Sequence, residues 1–194
     1  MSIGAIALCN LIKGESYEEK FQRLLALTRK LANDSNIYMD EAVFLSEKNA
    51  GNKNRSLAFL LKAHGLLKDD VKDVLDLYFK ACSISVTTKN LATIGSAFAN
   101  GGKLPGSKVR LFSGRYAHYV NAVMMICGMY EGSGNFAVDV GIPAKSGISG
   151  GIMASVPTRF GVGIFSPALD NKGNSAAGVQ ALKHLSNQMC LSIF

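Results

Sequence analysis

The sequence predicts an α+β fold for a single domain over residues 1–194. Three observations carry this. Residues 1–129 repeat apolar side chains at helical spacing and form a mostly helical region. Residues 130–194 break into short, β-rich, glycine-punctuated segments that read as a strand hairpin, and an amphipathic C-terminal helix closes the chain. No internal repeat, low-complexity tract or linker divides the two regions.

The elements follow in order. Residues 17–32 read as a helix with Phe21, Leu24, Leu25, Thr28 and Leu31 along one side, broken by Asn33-Asp34-Ser35-Asn36. Residues 40–49 repeat the pattern through Ala42, Val43 and Leu45. Residues 53–63 and 69–82 come next, divided by Gly65-Leu66-Leu67, and Val71, Val74, Leu75, Tyr78 and Phe79 form the apolar stripe of the second. Residues 87–100 stop at Gly101-Gly102, since glycine takes the left-handed turn that releases the last carbonyls. Residues 107–129 read as a long helix interrupted near Ser113-Gly114. Beyond Tyr130, residues 136–141, 147–156 and 159–165 read as strands, the last two joined through a turn at Pro157-Thr158. Residues 175–191 close the chain as a helix, with Ser175 as N-cap.

Composition bounds the class. A length of 194 can bury a substantial core, and hydrophobic residues at 48% against charged residues at 18% are rich for a free-standing domain. Either some apolar surface packs on further polypeptide, or the chain is an Ala- and Gly-rich α+β enzyme; composition leaves both open. No apolar run reaches the roughly 18–20 residues of a membrane span. Met1 precedes no signal-type segment, so a cytoplasmic location is expected. Cys9, Cys82, Cys127 and Cys190 lack Cys-x-x-Cys spacing, which predicts reduced, mostly buried thiols and argues against zinc. His64, His118 and His184 stand alone and read as solvated or hydrogen-bonded side chains. The net charge of +7 invites a nucleic-acid partner, but Lys20, Arg23, Arg29 and Lys30 alternate with Glu18 and Glu19, and no basic run interleaves with aromatics. A solvated basic face is the expectation, with neither a nucleic-acid nor a membrane partner.

One segment carries chemistry. Lys145-Ser146-Gly147-Ile148-Ser149-Gly150-Gly151 follows Gly141-Ile142-Pro143-Ala144 and precedes an apolar run. A Lys-Ser-Gly triplet opening a strand lines one wall of the site in serine acyl-transfer enzymes of the β-lactamase and penicillin-binding class. Strand N–H groups there face a developing oxyanion, and glycine lets a substrate carbonyl approach the main chain. The bare triplet also reads as a glycine-rich turn between core strands.

The longer string, Gly141 through Ile152, resembles the signature strand of the serine-dependent glutaminases. Phe165-Ser166-Pro167-Ala168-Leu169-Asp170 with Gly173-Asn174-Ser175, Cys127-Gly128-Met129-Tyr130 with Gly134-Asn135-Phe136-Ala137, Ser46-Glu47 with Asn54, and Tyr78-Phe79 with Cys82-Ser83 extend the likeness from about residue 2 to the C-terminus. The resemblance implies a β-lactamase/transpeptidase-like architecture whose N-terminal strands are missing here. That family's nucleophile is the serine of a Ser-x-x-Lys motif upstream of all these segments. This chain contains no Ser-x-x-Lys, and Ser46-Glu47-Lys48 has the wrong spacing. The chain therefore resembles the C-terminal part of a glutaminase.

Site roles follow from the resemblance alone. It implies that Ile148, where the family usually has Val, gives its backbone N–H to the oxyanion hole, and that Tyr130 lines the site and shares in acid–base work. A phenol needs a neighbouring cation to take part at neutral pH, and Lys145 is the candidate. Glu47 is implied to receive the substrate's α-ammonium, with Asn54 and Tyr78 as polar partners. Ser2 replaces a substrate-binding Asn and offers only one hydroxyl, so it is expected to hold substrate weakly. No cofactor or metal is implied.

The reading is L-glutamine and water to L-glutamate and ammonia through an acyl-serine whose nucleophile lies outside this chain, so that the isolated chain is expected to be inactive. An alternative is a catalytically inactive remnant that binds substrate or pairs with another subunit. A β-lactamase-type hydrolase acting on another amide is a third, which the implied clamp of Glu47, Asn54 and Tyr78 argues against. The expected partners are L-glutamine and either further copies of the chain or the missing N-terminal part.

Overall fold

The computed structural model describes residues 2–194, with side chains from residue 3 onward. The chain divides into two compact units: one holds the residues up to Arg29 with Ser35–Ser85, the other Lys30–Asp34 with Val86–Phe194.

The first unit carries helices α1 (Ser2–Cys9), α2 (Tyr17–Ala32, except its last turn from Lys30), α3 (Glu41–Ala50), α4 (Asn52–Ala63) and α5 (Val71–Cys82), and two short antiparallel strands, β1 (Tyr38–Met39) and β2 (Ile84–Ser85). The sequence pattern does not predict α1, β1 or β2. Helix α5 is the centre: Val71, Val74, Leu75, Leu77 and Phe79 are buried, and α1, α3 and α4 pack against it. Each large side chain so buried stabilises the fold by about 1.5–3 kcal/mol. Asp70 caps α5 by accepting from Lys72 N at 2.8 Å, and Asp40 caps α3 by accepting from Val43 N at 3.0 Å. In α3 the expected stripe is corrected, because Phe44 is buried whereas Val43 and Leu45 are exposed.

The second unit begins with α6 (Thr88–Ala99). Thr87 and Asn90 close a reciprocal capping box at its start, and Asn90 Nδ2 donates to Asp34 at 3.0 Å. At its end Gly102 N donates to Ala97 O and Gly101 N to Phe98 O, with both glycines at positive φ; this is a Schellman arrangement, at the glycine stop the sequence predicts. Helix α7 is Gly114–Cys127, not the longer 107–129 expected, because Pro105-Gly106 and the extended Ser113 hold the preceding residues in loop conformation. A 3-10 turn (Tyr130–Gly132) and α8 (Ser133–Asp139) follow. The strand expected over 136–141 is thus corrected to helix: Phe136 and Val140 are buried one turn apart, Val140 N donates to Phe136 O at 2.8 Å, and Val138 is 87% exposed.

Strands β3 (Ala144–Ser146), β4 (Gly151–Val156) and β5 (Phe160–Phe165) form an antiparallel sheet in that order, with Ser146 opposite Ile152 and Gly151 opposite Phe165. The strand expected over 147–156 is therefore shortened to β4, with residues 147–150 in a turn, and β3 precedes it where no separate strand was expected. Helix α6 packs on β4 and β5. Ile152, Ala154 and Val156 alternate into a core with Met129, Phe136, Val140, Ile142 and Leu182, the last from α9 (Ala176–Met189). Ser175 caps α9 through Gly178 N at 3.2 Å, as expected. Strand β5 is an edge of this sheet, and Phe160, Val162 and Ile164 are only partly buried.

Candidate active site

The glycine after α7 sets the geometry. A Cβ at Gly128 would lie 1.8 Å from the Ala144 carbonyl oxygen, so only glycine lets the chain leave α7 hard against β3. Gly128 O then accepts from Ser146 N at 3.0 Å. Two residues on, Tyr130 adopts φ +53°, a left-handed conformation that costs a side-chain-bearing residue about 1–2 kcal/mol. Its hydroxyl donates to Ser146 O at 3.1 Å. The Lys145 ammonium sits 4.6 Å from the Tyr130 ring centroid and also reaches the Ser146 carbonyl.

The turn after Ser146 presents the main chain. Gly147 N donates to Gly151 O at 2.8 Å, Gly150 N to Gly147 O at 3.0 Å, and Ser166 N to Gly150 O at 3.0 Å. Among the described residues the Ile148 N–H has no protein acceptor, and the Ile148 side chain is 68% exposed. Tyr130, Lys145 and Ile148 therefore share one corner of the second unit.

Around Tyr130 lie groups to which the sequence reading gives no role. Ser133 Oγ accepts from Met129 N at 3.1 Å and donates to Tyr130 O at 2.8 Å. Asn174 Nδ2 donates to Met129 O at 3.1 Å, and Asp170 Oδ1 accepts from Lys172 N and Asn174 N to shape the loop that carries it. The hydroxyl of Ser146 and Oδ1 of Asn174 are buried without partners among the described residues. A Ser opening a short helix and the Asp170…Asn174 spacing were the available signals.

Glu47, Asn54 and Tyr78 lie in the first unit, on α3, α4 and α5, each half-buried. Helices α3 and α4 both pack on α5, so the three side chains come from adjoining helices. Among the described residues neither the Glu47 carboxylate nor the Asn54 amide has a protein partner. The Tyr78 ring lies 5.8 Å from that of Phe79. The Ser2 side chain lies outside the described residues.

The same unit contains an unforeseen polar cluster. Asp69 accepts from the Tyr17 hydroxyl at 2.8 Å and from Lys20 Nζ at 3.1 Å, and those two bonds hold its carboxyl below the ordinary range. Burial first, then the bond to Asp69, pushes the Tyr17 phenol upward. Lys20, expected on a solvated face, is only 8% exposed, because its ammonium is matched by Asp69 and lies 4.5 Å from the Tyr17 ring centroid. The thiols also differ from expectation: Cys9 is buried, whereas Cys82, Cys127 and Cys190 are exposed at or next to helix ends. Among the described residues no group of three or more His, Cys, Asp or Glu side chains is placed to hold a metal ion.

Comparison with known proteins gives the family and the fold. A model of the family described as Glutaminase matches residues 1–194. Over 191 residues the chain is 50% identical to Glutaminase 2 of Clostridium perfringens, covering 98% of this chain and 63% of that protein. Over 194 residues it is 52% identical to a glutaminase of Clostridium tetani, covering all of this chain and 63% of that one. Among solved structures, a probable glutaminase from Bacillus subtilis complexed with 6-diazo-5-oxo-L-norleucine superposes with a TM-score of 0.96 at 38% identity, over all of this chain and 65% of that one. The fold is thus the β-lactamase-like α+β fold of those enzymes. The chain spans a little under two thirds of the length of these relatives. No described helix is long and apolar enough to cross a membrane.

Proposed function

This chain belongs to the glutaminase family, and we propose that it forms the acceptor wall and substrate clamp of a glutamine-hydrolysing site. In this reading L-glutamine and water give L-glutamate and ammonia. A serine hydroxyl on polypeptide outside this chain attacks the side-chain amide carbon. The Ile148 N–H takes the oxygen's negative charge, ammonia leaves with a proton, and water then splits the acyl-serine ester. Tyr130 passes that proton. Negative charge developing on its oxygen is stabilised by the Lys145 ammonium at the ring. Glu47 pairs with the α-ammonium of the substrate, while Asn54 and Tyr78 hydrogen-bond its amino-acid end. Ser2 contributes weakly at most.

The observation that carries this is the Ile148 N–H, without an acceptor among the described residues, two residues beyond the carbonyl that holds the Tyr130 hydroxyl. Glu47 and Asn54, half-buried and without a side-chain partner among the described residues, fit a clamp completed by ligand. The half-exposed edge strand β5 fits pairing with a second copy or with the nucleophile-bearing segment. Among the described residues the four cysteines form no disulfide, which fits a cytoplasmic setting.

Ammonia release tests the reading. The chain alone is expected to hydrolyse glutamine about 10⁶-fold more slowly than the C. tetani relative, the scale of losing a covalent nucleophile. The same chain joined to the part of that relative that it does not match is expected to release ammonia from glutamine, and Tyr130→Phe should suppress the release. A folded fusion that binds glutamine without hydrolysing it would favour the inactive-remnant alternative. Full activity of the chain alone would remove the reading.

A further inference from the structure

Tyr130 is a non-glycine residue in the left-handed region, in a turn where nearly every neighbouring peptide group is tied down. Met129 N is held by Ser133 Oγ. Met129 O accepts twice, from Gly132 N at 3.0 Å and from Asn174 Nδ2 at 3.1 Å. Tyr130 O accepts twice as well, from the backbone N–H and from the hydroxyl of Ser133. A left-handed side-chain-bearing residue persists only where its surroundings over-determine it. Here the determinants converge on two side chains. Ser133 uses its one hydroxyl in both directions, accepting before Tyr130 and donating after it, and both Ser133 and Asn174 are almost wholly buried.

We propose that Ser133 and Asn174 are positioning residues that hold Tyr130 in the left-handed turn and so deliver its hydroxyl to the Ser146 carbonyl beside the Ile148 turn. Neither touches the reacting atoms; each acts through the Met129 and Tyr130 peptide groups. In the right-handed region the Tyr130 side chain would leave its turn in another direction, and the 3.1 Å bond to Ser146 O would be lost. Asn174 also links this corner to the loop after β5, because Asp170 fixes the Asn174 N–H. The catalytic meaning of this rests on the role given to Tyr130 above; its geometric content does not.

The test uses the full chain labelled with 3-fluorotyrosine and observed by ¹⁹F NMR. Six tyrosines are present, and Tyr130→Phe identifies the line of interest. In Ser133→Ala and in Asn174→Ala the Tyr130 line is expected to shift and broaden below the melting transition, while the other five hold their positions. Ser133→Thr, which keeps the hydroxyl, should restore it. A residue that merely supports the fold would lower the melting temperature without moving that one line. In the fusion described above, Ser133→Ala is expected to lower kcat by about tenfold to a hundredfold, the scale of a misplaced catalytic group, with KM nearly constant. An unmoved Tyr130 line in folded Ser133→Ala overturns the proposal. If that variant fails to fold, an unmoved line in Asn174→Ala does so. A moved line with unchanged kcat instead leaves the positioning intact and removes the role of Tyr130 in the chemistry.

Discussion

A methyl group at Gly128 would stand 1.8 Å from the Ala144 carbonyl oxygen and 2.4 Å from that of Met124, and both are backbone atoms that cannot swing aside. Gly134, six residues on and inside α8, has nothing within 4 Å of the same position. The two glycines should therefore respond oppositely to alanine. Gly128→Ala is expected to lose about 3 kcal/mol or more, since either α7 or β3 must move. Gly134→Ala should gain about 0.5–1 kcal/mol from the lower backbone entropy of its unfolded chain. Urea midpoints at constant slope measure both, and equal responses would show that the close approach at Gly128 is not rigid. Candidate site residues are legible at this scale only where a local motif marks them. Lys145 and Ile148 stand in a readable motif. By contrast, Glu47 is one carboxylate among many in the sequence, and the left-handed backbone of Tyr130 depends on Ser133 and Asn174, which lie three and forty-four positions away.

At the scale of elements, the start of α6 shows how one side chain can hold several groups. Asn90 is buried, accepts from both Thr87 N and Thr87 Oγ1 through Oδ1, and donates to Asp34 through Nδ2. Asn90→Ala removes all three bonds together with the buried side chain that makes them, so a loss of about 2 kcal/mol is expected from chemical denaturation, against a few tenths for an exposed Asn. Elements with strong local signals read correctly from sequence: α2, α5 and α9 have an apolar face, and α3, α5, α6 and α9 have a side-chain cap. Residues 136–141 did not, because Phe136, Val138 and Val140 alternate as a strand would, while tertiary packing selected the one-turn spacing of Phe136 and Val140. The break between β3 and β4 was hidden for a related reason. Gly147, Gly150 and Gly151 permit either a kinked strand or a tight turn, and the Gly147–Gly151 hydrogen bond decides. Strands β1 and β2 are two residues each, too short to leave a periodic signal.

For the whole molecule, charge sets the pH limits of stability. The carboxyl of Asp69 is held low by hydrogen bonds from Tyr17 and Lys20, that of Glu18 by Gln22 and Lys80, and that of Glu19 by the Glu15 N–H and Arg23. A depressed folded-state pKa gives stability that is present above the unfolded value, about 3.9 for Asp and 4.3 for Glu, and is lost as pH falls through the lower folded value. These groups are largely exposed, so the effect of each is small. Protonation has a second consequence, because the net charge is already +7 at pH 7 and climbs as carboxylates neutralise, adding self-repulsion in the same direction. At the alkaline end the signs reverse. Burial pushes the Cys9 thiol up to about 11, and the Tyr17 phenol is raised as well, so their contribution is intact below the unfolded values and disappears as pH climbs through the folded ones. The melting temperature is thus expected to be flat near neutrality, to fall below about pH 4 and to fall again above about pH 10. Salt separates the two acid-side causes. Once the pairs are protonated only repulsion remains, so roughly 0.3 M salt should raise the melting temperature at pH 3, where screening is short-ranged, and leave it almost unchanged at pH 6. Circular dichroism melts at both pH values and both salt levels check this. A salt-insensitive melt at pH 3 would mean that the lost pairs, not the accumulated positive charge, set the acid limit.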